Sequence, residues 1–244
     1  MKYLQTPKAN KIVTLFLKLL GMKYSVKILA LLAMLASYSI SGYSQKYRFT
    51  VFVDPQVSWL TSDTKKFEPN GSVMGYNIGF AGDKYFADRY ALQFGLSLNE
   101  MGGNLRYDEP NYKLVTRDSS YILPTGSNVK FKGQYINIPF GFKFKTIEIG
   151  YLSIYAQVGL TGHVKLKGFA WEESFNVDRE VTTIDQADWA FASYGIGVGV
   201  EYSLGGPSAI QAGLHFSNGF TSAYKAGFGM VSIGSLSLRI GLAF

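Results

Sequence analysis

From Tyr47 to the C-terminus, apolar and polar or small residues take turns along the chain. The clearest run is Gln134 to Gly162. Ile136, Ile138, Phe140, Phe142 and Phe144 fall on one side, and Tyr135, Asn137, Pro139, Gly141, Lys143 and Lys145 on the other. After the short segment TIEIG, Leu152, Ile154, Ala156, Val158 and Leu160 again share a side, opposite Ser153, Tyr155, Gln157, Gly159 and Thr161. A period of two means strands whose faces meet different environments. One face is bulky and wholly apolar, and the other mixes glycine, amides, lysine and tyrosine. A soluble sheet would bury that apolar face against a second layer, and no segment reads as such a layer. A membrane barrel turns it toward lipid and keeps small and polar side chains inside.

The same pattern predicts six further strands. They lie over Tyr47–Trp59, Ser72–Ala81, Tyr90–Asn99, Trp189–Leu204, Ile210–Ser217 and Ser235–Phe244. Pro55 falls within the first and lacks a ladder donor, so a bulge or a gap is expected there. The connections alternate long and short. TSDTKKFEPNGS, Glu100–Gly133, Lys165–Asp188 and NGFTSAYKAGFG are the long ones; GDKYFAD, TIEIG and GGPS are turns. The expected fold is therefore all-β: an eight-stranded antiparallel up-and-down transmembrane β-barrel with short turns in the periplasm and longer loops outside. Tyr47, Phe80, Tyr90, Phe144, Tyr202 and Phe244 are expected to form the periplasmic aromatic girdle, with Trp59 and Phe216 on the outer one.

The chain before Gln45 has a different pattern. Lys23 and Lys27 precede the apolar run Ile28–Ala36, and Gly42 and Ser44 stand at −3 and −1 of a cut before Gln45. Residues 1–44 read as an N-terminal extension plus a secretory signal peptide, and residues 45–244 as the barrel. The apolar run is too short to span a membrane. Translation from Met22 and a lengthened positive n-region both account for residues 1–21.

Composition sharpens this picture. The formal charge of +7 belongs to the leader, whose six lysines and no acids leave 18 basic against 17 acidic groups in the rest. That balance removes the electrostatic case for a nucleic-acid partner. With no cysteine, disulfides, thiolate metal sites and a thioether lipid anchor are excluded.

Candidate chemistry is sparse. Arg48, Lys143, Glu201 and Arg239 are expected inside the barrel near its periplasmic end, as an ion-pair network filling the lumen. His163 and His215 are expected inward near the outer rim, close to Thr161, Ser217 and Lys165. They read as lumen lining, because a lipid-acting catalytic group must stand where lipid can reach it. Glu172, Glu173, Asp178, Glu180, Asp185 and Asp188 form an acidic loop, a candidate interaction surface for a partner or, through bridging cations, for lipopolysaccharide. Their spacing matches no calcium loop. The run GIGVG alternates glycine with Ile and Val within a strand, so its glycines read as lumen space and not as a phosphate loop.

These residues carry a family resemblance. GFAGDKYFADRYALQFGLSLNEMGG, QYINIPFGFKFK, LSIYAQVGLTG, SYGIGVGVEYSLGGPSAIQAGLHFSNGF and SLSLRIGLAF resemble the PorT-like outer-membrane β-barrel family of Bacteroidota. The resemblance implies an eight-stranded barrel in the bacterial outer membrane, and the family's namesake belongs to the type IX protein secretion apparatus.

The expected protein is non-enzymatic and has a filled lumen, since eight strands leave room only for side chains. It takes no cofactor and acts in envelope or secretion assembly through its rim and loops. A surface binding or adhesion protein using the acidic loops is the alternative, with a lipid-modifying enzyme behind it. Expected partners are outer-membrane lipid, the outer-membrane insertion machinery, which reads the terminal aromatic Phe244, and an envelope protein.

Overall fold

The computed structural model describes residues 47–63, 67–108, 110–115, 120–172, 186–224 and 229–244. The predicted leader lies outside the described residues. Eleven strands follow in chain order: β1 Tyr47–Ser62, β2 Phe67–Pro69, β3 Ser72–Ala87, β4 Tyr90–Tyr107, β5 Tyr112–Val115, β6 Ser120–Leu123, β7 Ser127–Lys145, β8 Leu152–Trp171, β9 Ala190–Ser203, β10 Ala209–Gly219 and β11 Val231–Ala243. Eight of them close on themselves in the order β4-β3-β1-β11-β10-β9-β8-β7, with β7 returning to β4. Every pairing in the ring is antiparallel. The fold is an eight-stranded up-and-down barrel. β2 adds to β4 beyond the ring, and β5 and β6 form a separate hairpin.

The faces follow the alternation. Val53, Val57, Phe94, Leu96, Phe140, Phe142, Val158, Val198, Leu214 and Ile240 are exposed on the outside. Asp54, Gln56, Gln93, Ser97, Asn137, Lys143, Glu201, Gln211, Ser237 and Arg239 are buried inside. Glycines of the GIGVG run make room for lumen side chains. A Cβ at Gly197 would lie 2.6 Å from the His215 ring, and one at Gly199 would lie 2.6 Å from the Tyr155 ring.

Two features differ from the sequence expectation. β3 runs through GDKYFAD to Ala87, so the turn is Asp88 and Arg89 alone and Phe80 stands mid-strand. The periplasmic girdle at this point is Phe86, whose ring lies 6.3 Å from Tyr90, with Tyr90 in turn 5.7 Å from Phe144. Of the bulge or gap expected at Pro55, the structure has the gap. β1 keeps one register with β11 from Val53↔Ile240 to Gln56↔Ser237, skipping two pairs, while Pro55 itself stays aligned with Tyr76 of β3. The missing N–H thus leaves a gap on the β11 side.

The second difference is the larger. Glu100–Gly133 is not one long polar loop: β4 continues to Tyr107, β7 begins at Ser127, and the β5–β6 hairpin stands between them. Likewise β8 reaches Trp171 instead of ending before Lys165. Strands of 18, 19 and 20 residues greatly exceed the roughly 9–11 that cross a bilayer. Beyond Asn99 the polarity of β4 reverses: Met101, Leu105 and Tyr107 are buried inside, and Asn104 and Arg106 face outward. In β7, Val129, Phe131 and Tyr135 are buried, while Asn128 and Lys130 are exposed. β8 keeps pace through a bulge. Tyr135 pairs with Lys165 and Gln134 with Lys167, so Leu166 is the extra residue. An added residue exchanges the two faces of everything after it, and Gly168, Ala170 and Glu172 become buried.

Candidate functional site

The lumen has three layers, set by which residue types the inward positions bring. The periplasmic layer is an ion cluster. Lys143 on β7 donates to Asp83 Oδ2 at 2.7 Å and to Glu201 Oε1 at 2.8 Å, and all three side chains are 1% exposed. Glu201 Oε2 also accepts from Lys145 at 2.7 Å and from Arg48 at 3.0 Å. Gln93 donates to Asp83 Oδ1, the oxygen Lys143 leaves open, and Gln211 donates to Glu201 Oε1 beside Lys143. The Lys143 ammonium also lies 5.0 Å from the centroid of the Tyr155 ring. A buried charge is tolerable only with such saturation, because each ion loses hydration worth several kcal/mol.

Arg48, Lys143 and Glu201 therefore meet, and Arg239 does not join them. It donates from Nε and Nη2 to Asp54 at 3.0 and 2.7 Å, with Asn77 completing that carboxylate and Phe52 lying 4.0 Å beneath the guanidinium. Sequence reasoning missed Asp54, Asp83 and Lys145 as members. Asp54 and Lys145 were legible as inward positions of their strands. Asp83 was hidden by reading GDKYFAD as a turn.

Above the ions is a chamber of about 110 Å³ lined by amides, hydroxyls and imidazoles. His215 contacts Gln157 at 2.7 Å and Tyr155 at 3.4 Å. His163 contacts Asn137 at 2.7 Å and Ser193 at 2.8 Å and stacks on Phe191 at 4.3 Å. Ser217 donates to Ser193 at 3.0 Å, and Lys165 donates to the carbonyl of Ala187 at 2.5 Å. The two imidazoles thus sit in different hydrogen-bonded groups, and their partners are amides, a phenol and a hydroxyl instead of the carboxylate that would orient a general base.

The outer layer is apolar. Leu60, Phe67, Met101, Leu105, Tyr107, Leu114, Leu123, Val129, Phe131, Tyr135, Phe191, Tyr224, Val231 and Ile233 form one buried cluster. Leu114 and Leu123 come from the β5–β6 hairpin, so the hairpin contributes to the closure of the mouth. Aromatic edges lock the cluster: Phe67 to Tyr107 at 5.0 Å, Phe131 to Tyr224 at 5.5 Å, Tyr135 to Phe191 at 5.2 Å. Burial pushes the Tyr224 phenol well above the ordinary tyrosine value. Of the acidic loop, Glu172 is buried and Asp188 half-buried, with the Asp188 amide donating to the Ala223 carbonyl at 2.9 Å. Glu173, Asp178, Glu180 and Asp185 lie outside the described residues. Among the described residues no cluster of His, Asp and Glu has metal-holding geometry.

A barrel with lipid-facing apolar strands and a packed polar interior matches the profile of the outer membrane protein beta-barrel domain over residues 34–225. The chain belongs to that family. It is a protein of the bacterial outer membrane, seated in outer-membrane lipid. Solved structures to which this barrel is similar include Ail, the attachment invasion locus protein of Yersinia pestis, in complex with the heparin analogue sucrose octasulfate. Identity is 15%, over 82% of this chain and 99% of that one, with a TM-score of 0.39. Neisserial surface protein A is 13% identical over 79% of this chain and 95% of that one, TM-score 0.43. OprG from Pseudomonas aeruginosa is 8% identical over 84% and 98%, TM-score 0.42. No curated protein matches.

Proposed function

We propose that this barrel is a non-conducting, non-enzymatic scaffold that works through the platform above its membrane strands, as a component of envelope or secretion assembly. The observation that carries the reading is the double closure of the lumen. Lys143, Asp83 and Glu201 fill its periplasmic end, and the apolar cluster fills its outer end. A pore for solutes needs neither, and a scaffold gains rigidity from both. The strands that overshoot the bilayer hold the β5–β6 hairpin and its neighbours out where another protein can meet them. The PorT-like resemblance supplies the more specific version, a part in type IX secretion.

In this reading residues 1–44 are removed at export, and β11 with the Phe244 that follows it is the segment recognised by the insertion machinery. Edman sequencing of the mature protein should begin at Gln45. The scaffold itself is tested in two ways. Purified barrel in planar bilayers should give no steady conductance, and a stable open channel overturns the reading. Photocrosslinking from the β5–β6 hairpin in native membranes should yield a discrete envelope-protein adduct. A hairpin that crosslinks to nothing overturns the docking role. A deletion strain that still exports type IX substrates at the parental rate ends the secretion version alone.

A further inference from the structure

Polarity reverses on the outer surface of β7 and β8 within one pair of residues. Ile138, Phe140 and Leu160 are exposed apolar residues of the membrane band. Past the bulge at Leu166, which is 49% exposed, Lys167 faces Gln134, and Lys130 faces Trp171. Lys132 stands between them and is held by Glu100 at 2.8 Å. The Lys130 ammonium lies 5.6 Å from the centroid of the Trp171 ring. Lys130 and Lys167 are exposed and enter no ion pair among the described residues. Near the outer ends of β1, β3, β9, β10 and β11 the outward residues are Trp59, Met74, Tyr194, Phe216 and Gly234, none of them charged, while β4, beside β7, places Glu100 and the Asp108-paired Arg106 outward. The cationic strip is therefore confined to one flank.

Its position decides what it can meet. Residues just beyond an apolar band lie at the depth of lipid headgroups, where tryptophan anchors and lysine finds phosphate. We propose that the β7–β8 flank binds a phosphorylated glycolipid of the outer leaflet. Lys130 and Lys167 take the phosphate charge, Gln134, whose amide also reaches Glu100 Oε2 at 3.4 Å, stands opposite Lys167, and acyl chains lie along Leu166, Leu160 and Phe140. Lys132, already satisfied by Glu100, keeps the strip straight and is not a principal contact. The bulge matters here, because without it Lys167 would point into the barrel.

The test uses the full mature barrel in nanodiscs of zwitterionic lipid, titrated with bisphosphorylated lipid A and read by native mass spectrometry. The variant Lys130→Gln/Lys167→Gln should bind about thirtyfold more weakly, each lysine near a charged surface contributing about fivefold. Lys84→Gln, on the periplasmic girdle beside Tyr47, should bind as the parent does. Dephosphorylated lipid A should bind the parent as weakly as lipid A binds the double variant. Heat-modifiable migration confirms that each variant is a folded barrel. Equal affinity of the parent and the double variant for lipid A overturns the proposal. So does equal binding of the dephosphorylated lipid. Equal competition by phosphatidylglycerol overturns the glycolipid assignment by making the strip a general anion surface.

Discussion

Lys143 shows how one inward residue fixes the periplasmic layer. Among the described residues it carries the only ammonium that touches both Asp83 and Glu201, and it is as buried as they are. Lys143→Met removes that charge and leaves two carboxylates short of a partner. Glu201 keeps Lys145 and Arg48, but Asp83 keeps only the Gln93 amide among the described residues. Loss of one member of a buried pair costs about 3–5 kcal/mol. The unfolding free energy from lipid vesicles, measured by urea titration, should fall by that amount. Adding Asp83→Asn should recover part of the loss, since it removes the orphaned charge. A double variant no more stable than Lys143→Met would show that Asp83 is not coupled to Lys143. Such residue-level contacts were partly legible. Inward charges within an alternating strand announce themselves, as Glu201 and Lys143 did. Their pairing depends on register and closure across the ring, which is why Arg239 finds Asp54 rather than Glu201.

At the scale of the strand, the membrane halves were readable and the outer halves were not. The alternation never stops in β4: Met101, Leu105 and Tyr107 still occupy every second inward place. Its sense reverses, so a pattern that looks for apolar residues on the lipid side ends at Asn99. β8 is harder, because one bulged residue shifts the parity itself. Above the bilayer, water has replaced lipid outside, and the apolar residues turn inward as they would in a soluble protein. The plug should then behave as an independently destabilised layer. Phe131→Ala, which opens a fully buried site between Tyr107 and Tyr224, should cost about 3–5 kcal/mol locally. Hydrogen exchange at Leu105, Val129 and the β5–β6 hairpin should quicken, while amides of Phe94 and Phe140 stay protected. Uniform acceleration through the whole of β7 would refute the division into two layers.

For the molecule as a whole, strand number, order and closure follow from eight alternating segments and the long-short rhythm of their connections. The height of the barrel above the membrane does not, and it can be measured directly because the chain has no cysteine to remove. β8 has 20 residues, and roughly half suffice to cross the bilayer. Single cysteines at exposed outward positions then report depth. At Phe140, Val158 and Leu160 they should resist a membrane-impermeant maleimide on intact cells, because lipid covers those sites. At Arg106 a cysteine should react within the time taken by a loop control, because that position faces water above the headgroups, and at Lys130 it should react more slowly than there but faster than at Phe140, because Lys130 stands at headgroup depth. A cysteine at Leu166 should be intermediate, since the bulge stands at the boundary. Protection at Lys130 equal to that at Phe140 would place the polarity reversal inside the bilayer, where Lys130 and Arg106 would each cost several kcal/mol at mid-depth. Reaction at Lys130 and protection at Leu160 would instead fix the upper edge of the membrane to the few residues between them, which is where the Leu166 bulge exchanges the two faces of β8.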